Sequence, residues 1–222
     1  MTSLTFLLDV DNTLLANDDV KKDLDAHLKV ELGQALTDRY WELYEKARKE
    51  RGFVDIPLAL QWLREQTPLS EMDDLTYQHV HSLFDNYPFI NALYPHTLET
   101  LQYLGTLGTT VIVSDGDLCF QAEKIYESSL AFAVGGRVLI YDHKQQHLEE
   151  IVQRYPADHY AMIDDKPDIL VDVKHLWGNR VTTVFVLQGK YSAKKYSNFT
   201  PDISVLHIGD LRNYSREQFL KG

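Results

Sequence analysis

The stretch that decides the fold is Phe6-Leu7-Leu8-Asp9-Val10-Asp11-Asn12-Thr13-Leu14-Leu15, close to the amino terminus. It continues an apolar run that begins at Leu4. An unbroken apolar run of this length is typical of a strand that is buried on both faces of a parallel sheet. The run ends at two aspartates separated by one residue. The segment Asp-x-Asp-Asn-Thr also suits a simple turn, so its meaning depends on the rest of the chain.

Similar apolar runs recur along the chain and end in acidic or small residues. Helical stretches separate them, so we predict an α/β fold with a Rossmann-like, doubly wound and mostly parallel sheet. The predicted strands are Leu4–Leu8, Thr110–Val113, Val138–Tyr141, Tyr160–Ile163 and Val181–Val186, with Ile203–Ile208 as a weaker sixth. We expect a last helix over Asp210–Leu220 to complete the core.

One long segment, residues 16–87, contains no strand candidate and has helical periodicity. Start and stop signals predict four helices: the first ends at Gly33, the second ends at Gly52, the third begins at Asp55 and the fourth begins at Ser70. A crossover between two parallel strands needs only one helix. We therefore predict an inserted all-helical cap. The predicted domains are a core of residues 1–15 and 88–222 and a cap of residues 16–87.

Composition narrows the possible function classes. Among the 222 residues, 22 Lys and Arg face 33 Asp and Glu, and the net charge of −11 disfavours a nucleic-acid polymer as partner. The single cysteine, Cys119, excludes an internal disulfide and a cysteine-rich zinc site, and we expect it to be buried in a helix. No apolar run reaches the roughly 18 residues of a membrane helix, and no signal peptide is recognisable. We expect a cytoplasmic protein without membrane contact; its oligomeric state stays open.

Acidic residues collect where three predicted strands end. Asp9 and Asp11 follow the first strand, Ser114 follows the second and the pair Asp164-Asp165 follows the fourth. In an open α/β sheet, the ligand crevice lies outside the carboxyl ends of the strands. Carboxylates that lie so close together repel one another, and a bound divalent cation relieves this repulsion. An all-oxygen set of ligands suits Mg²⁺ better than zinc.

These residue types allow a division of labour for phosphoryl transfer. Asp9 can attack phosphorus from a rigid strand end, and Asp11 can act as a general acid and later as a general base. Ser114 offers a hydroxyl group to a phosphoryl oxygen, and a lysine is needed to neutralise developing negative charge. The metal would lie between Asp9, Asp165 and a phosphoryl oxygen.

Taken together, these segments resemble the motifs of the haloacid dehalogenase (HAD) superfamily. Residues 6–15 are similar to its first motif, residues 111–114 to its second, and residues 162–165 to its fourth in the double-aspartate form. The helical insertion matches the cap that one large subclass carries after the first motif. The resemblance implies a HAD-like core and a Mg²⁺-dependent phosphatase that acts on a small phosphorylated metabolite through an aspartyl-phosphate. A phosphomutase is a sub-case of this prediction.

The resemblance also implies roles for single residues. Asp9 is the nucleophile, and Asp11 is the acid/base that also lends its backbone carbonyl to the metal. Asp165 is the direct metal ligand, and Asp164 is a ligand held through water. The presence of Asp11 argues against the dehalogenase branch, whose motif lacks the second aspartate. We assign the third-motif lysine to Lys144.

Further candidates carry weaker signals. Lys124 is the rival to Lys144, but we expect it to point away from the site. His143 is a possible neighbour of the site because it adjoins Lys144. The basic run of the cap is more typical of a solvated helix face than of a substrate clamp; it consists of Lys46, Arg48, Lys49 and Arg51. Candidate contacts to phosphate or substrate are Asn12, Thr13, Asp115 and Gly116.

Two other function classes stay open at this point. A phospho-receiver module would also place a phosphorylatable aspartate, an acidic pair, a hydroxyl group and a lysine at strand ends. Its acidic pair would lie early in the chain, however, and it would lack both Asp11 and the long insertion. A non-catalytic relative would bind a partner through the cap.

Overall fold

The computed structural model of the protein describes residues 2–192 and 199–222. Within these residues, six parallel strands form one sheet in the order β3-β2-β1-β4-β5-β6. The strands are β1 Leu4–Leu8, β2 Thr109–Asp115, β3 Val138–Tyr141, β4 His159–Asp164, β5 Val181–Val186 and β6 Ile203–Val205. The predicted α/β class is confirmed. The sixth strand is shorter than predicted because a 3₁₀ turn begins at Ile208.

Helices cover both faces of the sheet. They are α1 Asn17–Arg51, α2 Ile56–Gln66, α3 Asp74–Asp85, α4 Thr97–Leu107, α5 Leu118–Glu127, α6 Leu130–Ala133, α7 Leu148–Arg154 and α8 Pro167–Trp177. Side chains of a strand point alternately to opposite faces. Phe6 and Leu8 of β1 therefore pack in one core with α4, α5 and α6, whereas Leu7 packs in a second core with α7 and α8.

Helix α1 doubles back on itself at Gly33. This residue has φ 74° and ψ 171°, a backbone conformation that favours glycine. Trp41 donates its indole N–H to Asp25 at 2.8 Å, and the Lys21 ammonium lies 4.7 Å from the ring centre of Tyr44. Each of these pairs is nearly symmetrical in sequence about Gly33, so the two arms of α1 run antiparallel. The break predicted at Gly33 is present, without a connecting loop.

Two aspartates begin the next helices. Asp55 accepts a hydrogen bond from the Leu58 backbone N–H at 2.9 Å and caps α2, as predicted. Asp73 accepts from Thr76 N–H at 2.8 Å and caps α3, so the predicted start at Ser70 is wrong. Residues 69–71 form a turn instead, and Asp73 supplies the carboxylate that an N-cap position favours.

The carboxyl-terminal helix predicted over Asp210–Leu220 does not form. Two 3₁₀ turns, Ile208–Asn213 and Gln218–Leu220, stand in its place. The chain between them is tied to the core, because Tyr103 donates its hydroxyl hydrogen to the Tyr214 carbonyl at 2.9 Å. Of the helices in residues 2–192 and 199–222, none has the length and hydropathy that a membrane span requires.

Candidate active site

Three carboxylates meet where the strand order reverses. Strand β1 pairs with β2 on one side and β4 on the other, and this switch point is the usual ligand position in such sheets. Asp9 follows β1, Asp164 ends β4 and Asp165 comes next. All three are buried, and each offers an oxygen within 4.8 Å of the others. The sequence prediction that Asp9, Asp164 and Asp165 lie together is therefore met by the geometry.

Lys144 is the cation inside this cluster. Its ammonium lies 2.5 Å from Asp9 Oδ1 and 2.6 Å from Asp164 Oδ2, and its side chain is 1% exposed. The Lys144 backbone N–H also donates to Asp115 Oδ1 at 2.7 Å, which fixes the 3₁₀ turn after β3 against the end of β2. Burial opposes the charge of Lys144, but the Asp164 and Asp9 carboxylates outweigh it and raise its pKa.

Asp165 is the carboxylate without a partner. Neither of its oxygens accepts a hydrogen bond from a described residue, although both are buried. Burial, together with the charges of Asp164 and Asp9, raises the pKa of Asp165 far above its ordinary range. Buried acceptors without donors, in a set of carboxylates only, fit a hard divalent cation such as Mg²⁺. The residues present are therefore suited to the metal that the sequence predicts.

Asp11 lies outside the carboxylate cluster and pairs with Lys124. The Lys124 ammonium donates to Asp11 Oδ1 at 2.8 Å and to Asn17 Oδ1 at 3.1 Å. Burial alone would raise the pKa of Asp11, but Lys124 outweighs it and holds this pKa below the usual range. The expectation that Lys124 points away is wrong. Helix α5 presents Gln121 and Lys124 to the cavity on the same helical face, together with its N-cap residue Asp117.

Hydroxyl and amide groups complete the surroundings of Asp9. Thr13 donates its hydroxyl hydrogen to Asp9 Oδ2 at 3.3 Å. Ser114 is buried, and its hydroxyl oxygen accepts from the Gln121 amide at 2.8 Å. Asn12 has φ 62° and accepts at 3.0 Å from a backbone N–H in the first turn of α1. Gln121 is a contact that sequence reasoning missed, because nothing in its spacing marks it.

A cavity of about 170 Å³ lies between the strand ends and the helices inserted after β1. Asp11, Asn12, Asp115, Gly116 and His143 are among the predicted residues that line it. These predicted residues therefore reach one cavity from several different strand ends. The buried residues behind them are not part of its lining, namely Asp9, Thr13, Ser114, Lys144, Asp164 and Asp165.

Of the basic run in α1, Arg48 also lines the cavity. Lys46 lies over the Trp62 ring at 4.7 Å, and the Arg51 guanidinium lies 3.8 Å from Asp55. Cys119, expected to be buried, is exposed at the start of α5. The cavity also contains groups that sequence reasoning missed, namely Lys21, Tyr40, Tyr44, Lys166 and Lys190.

Comparison with solved structures shows the family to which the chain belongs. A haloacid dehalogenase-like hydrolase from Burkholderia xenovorans shares 43% sequence identity, covers 98% of this chain and 99% of its own, and has a TM-score of 0.89. No family model matches the chain. No curated protein matches it either.

More distant structures share the fold alone. An L-2-haloacid dehalogenase from Xanthobacter autotrophicus, with chloropropionic acid covalently bound, has 15% identity and a TM-score of 0.63 over 96% of this chain and 98% of its own. A HAD hydrolase from Bacillus subtilis bound to magnesium has 15% identity and a TM-score of 0.60 over the same shares.

Proposed function

This chain belongs to the haloacid dehalogenase-like hydrolases, and from that premise we propose that it is a Mg²⁺-dependent phosphatase. It would hydrolyse small phosphomonoesters through an aspartyl-phosphate formed on Asp9. The dehalogenases among its structural neighbours make hydrolysis of a carbon–halogen bond the competing reaction.

The observation that carries this proposal is the cluster of Asp9, Asp164 and Asp165 with its two unpartnered oxygens. Lys144 pairs with Asp9 and Asp164, and the charge of Lys166 also acts on the cluster, but neither lysine forms a salt bridge or hydrogen bond with the Asp165 carboxylate. A phosphate dianion would add further negative charge, and its approach requires a further cation. A haloacid carries only one negative charge, so its binding depends less on an additional cation. Asp11, two residues after the nucleophile, also supplies the proton that an alkoxide leaving group needs.

In the first step, an Asp9 oxygen attacks phosphorus, the Asp9–phosphorus bond forms and the bond from phosphorus to the ester oxygen breaks. Asp11 gives its proton to the departing oxygen. In the resting site Lys124 keeps Asp11 ionised. A bound phosphate dianion opposes the Asp11 charge and raises its pKa, so Asp11 takes up a proton when substrate binds.

In the second step, Asp11 takes a proton from water, and the resulting hydroxide attacks the phosphorus of the aspartyl-phosphate. The acyl-phosphate bond breaks, inorganic phosphate leaves and Asp9 returns as a carboxylate. Lys144 keeps its contacts with Asp9 and Asp164 and offsets the negative charge. The Ser114 hydroxyl, which accepts a hydrogen bond from Gln121, would donate its own hydrogen to a phosphoryl oxygen.

Mg²⁺ would be held by Asp9, Asp165 and the backbone carbonyl of Asp11, with Asp164 acting through water. When bound, it neutralises charge on the phosphoryl oxygens and orients the phosphate. The two Asp165 oxygens accept no hydrogen bond from a described residue and would be free to coordinate this ion.

We also propose that residues 16–87 act as a cap over residues 1–15 and 88–222. The cavity has one wall from each part. Hydrogen bonds between described residues of the two parts include Asp117 N–H to the Val54 carbonyl at 3.2 Å, Lys190 N–H to Asp18 at 3.0 Å and the Lys124 ammonium to Asn17 at 3.1 Å. Closure of this cap would exclude water during phosphoryl transfer.

The direct test is phosphate release from sugar phosphates, nucleotides and an aryl phosphate, with Mg²⁺ and with EDTA, beside halide release from 2-chloropropionate. The proposal expects phosphate release that EDTA abolishes, and no halide. Halide release without phosphate release would assign the chain to the dehalogenases. Transfer of the phosphoryl group to a second sugar hydroxyl, without free phosphate, would identify a phosphomutase.

Asp165→Asn tests the metal site without using activity. In the unchanged protein, Mg²⁺ at 100 times its Kd should stabilise the fold by about 2.7 kcal/mol, or roughly 5–10 °C in Tm. Asp165→Asn should lose most of this gain because it removes a direct ligand. In EDTA its Tm should equal or exceed that of the unchanged protein, since the carboxylate repulsion is relieved.

Asp172→Asn is the control for this experiment, because it makes the same chemical change on an exposed residue of α8. It should keep the full Mg²⁺ response. An equal Mg²⁺ response in Asp165→Asn and Asp172→Asn would show that the metal ligand is assigned wrongly.

A further inference from the structure

The cavity has a second polar end, on the side of α1. Lys21 from the first arm and Arg48 from the second arm line it, and Lys190 joins them from the loop after β5. Asp11 and Lys124 line the same cavity beside the strand ends, near enough for their charges to act on Lys21. Because α1 doubles back at Gly33, its two arms bring Lys21 and Arg48 to the same cavity although they lie 27 positions apart in the sequence.

Lys21 forms no salt bridge in the described part of the chain, although the charge of Asp11 acts on it from a longer distance. Its ammonium lies over the ring of Tyr44, 4.7 Å from the ring centre. Partial burial, together with the positive charge of Lys190, lowers the pKa of Lys21 to about 8. Its neighbour Lys22, by contrast, is exposed and pairs with Asp19 at 2.8 Å. Lys21 is thus a partly buried cation without a salt-bridge partner, beside the like charges of Lys190 and Arg48, and an anion in the cavity would stabilise its charge.

Two tyrosine hydroxyl groups at this end also lack partners. Tyr40 and Tyr44 line the cavity, and both are almost completely buried. No described residue accepts or donates a hydrogen bond at either phenolic oxygen. A buried hydroxyl group without a partner costs free energy. Burial raises the pKa of both phenols, so they remain neutral hydrogen-bond donors, which is what an anionic or carbonyl oxygen requires.

From these groups we infer that the substrate is a small phosphomonoester with a second anionic group, held by Lys21 and Arg48 and the hydroxyls of Tyr40 and Tyr44. This inference rests on the proposed phosphatase function. A cavity of about 170 Å³ is smaller than the pockets of drug-sized ligands and suits a short metabolite. The second group is a carboxylate or another phosphoryl group. Either of them carries the negative charge that would pair with the Lys21 ammonium.

The test uses phosphonates, which bind without being hydrolysed, and measures Kd calorimetrically in the presence of Mg²⁺. Three short phosphonates of equal chain length are compared: one ends in a carboxylate, one in a second phosphonate and one in a neutral amide. At least one of the two anionic ligands should bind about tenfold or more tightly than the amide. Which of them binds more tightly identifies the source of the second charge.

Lys21→Met should remove this preference, whereas Lys22→Met, one position away on the exposed face, should keep it. Arg48→Met and the control Lys49→Met form a second matched pair. Equal affinity for the anionic and neutral ligands in the unchanged protein would overturn the inference. An equal preference in Lys21→Met and Lys22→Met would overturn it as well.

The failure of this inference can be told apart from the failure of the proposed function. Phosphate release from the substrate panel decides the function, whereas binding of inert phosphonates decides the second anion site. Phosphate release combined with indifference to the second charge would refute the inference alone. A charge preference that depends on Lys21, in a protein without phosphatase activity, would refute the function alone.

Discussion

Asp9→Asn should abolish phosphate release, with a loss of at least roughly 10⁴-fold in kcat, because an amide cannot replace the carboxylate as nucleophile. The fold should stay intact. Asparagine has nearly the same shape, and its oxygen can still accept from the Lys144 ammonium, which lies 2.5 Å from Asp9 Oδ1 in the unchanged protein. Release of aryl alcohol and of phosphate gives the activity, and circular dichroism with Tm gives the fold.

Asp11→Asn is the informative companion of this variant. An aryl phosphate has a good leaving group that needs little acid, so the first step should continue, whereas hydrolysis of the aspartyl-phosphate should slow. A labelled acyl-phosphate should therefore accumulate on Asp9 and survive acid quenching. If Asp9→Asn kept its activity, or if the label appeared on another residue, the proposed mechanism would be wrong.

Lys144→Met should cause the largest loss of stability among single substitutions in the site. It leaves Asp9 and Asp164 buried without their cation, and breaking a buried ion pair from one side costs about 3–5 kcal/mol. For a chain of this size we expect a fall of roughly 10 °C in Tm, measured in EDTA so that no metal compensates.

Lys124→Met is the matched comparison, because Lys124 is also buried but its partner Asp11 is 25% exposed. Its loss should be smaller, and that of the exposed Lys22→Met should be close to zero. Adding Asp164→Asn to Lys144→Met should recover part of the stability by removing one unpaired charge. Equal Tm values for Lys144→Met and Lys22→Met would contradict the ion-pair arrangement.

The sheet and the acidic cluster could be predicted because both depend on local patterns. Buried strands have continuous apolar runs, and β1, β3 and β5 have the bounds that these runs predict. Parallel strands place their carboxyl ends at one edge. The positions of Asp9 and Asp164 therefore followed from strand assignment alone.

Lys124 and Tyr44 show what such patterns could not decide. Adjacent residues on a helix point about 100° apart. An error of one residue in the predicted orientation of α5 therefore places Lys124 toward solvent instead of toward the Asp11 carboxylate. Tyr44 has the spacing of an ordinary core residue, and only the folding back of α1 brings it to Lys21. The second end of the cavity depends on the packing of α1 against the strand ends, which no local pattern encodes.

The exposed thiol of Cys119 has a practical consequence. It is the sole cysteine of the sequence, and it lies in the first turn of α5 between Leu118 and Phe120, the second of which lines the cavity. A maleimide dye would thus attach at one defined position without prior mutagenesis. Because Trp41 of α1 lines the same cavity, energy transfer from its indole to the dye, with Trp62 and Trp177 replaced by phenylalanine, would follow movement of α1 during a single turnover.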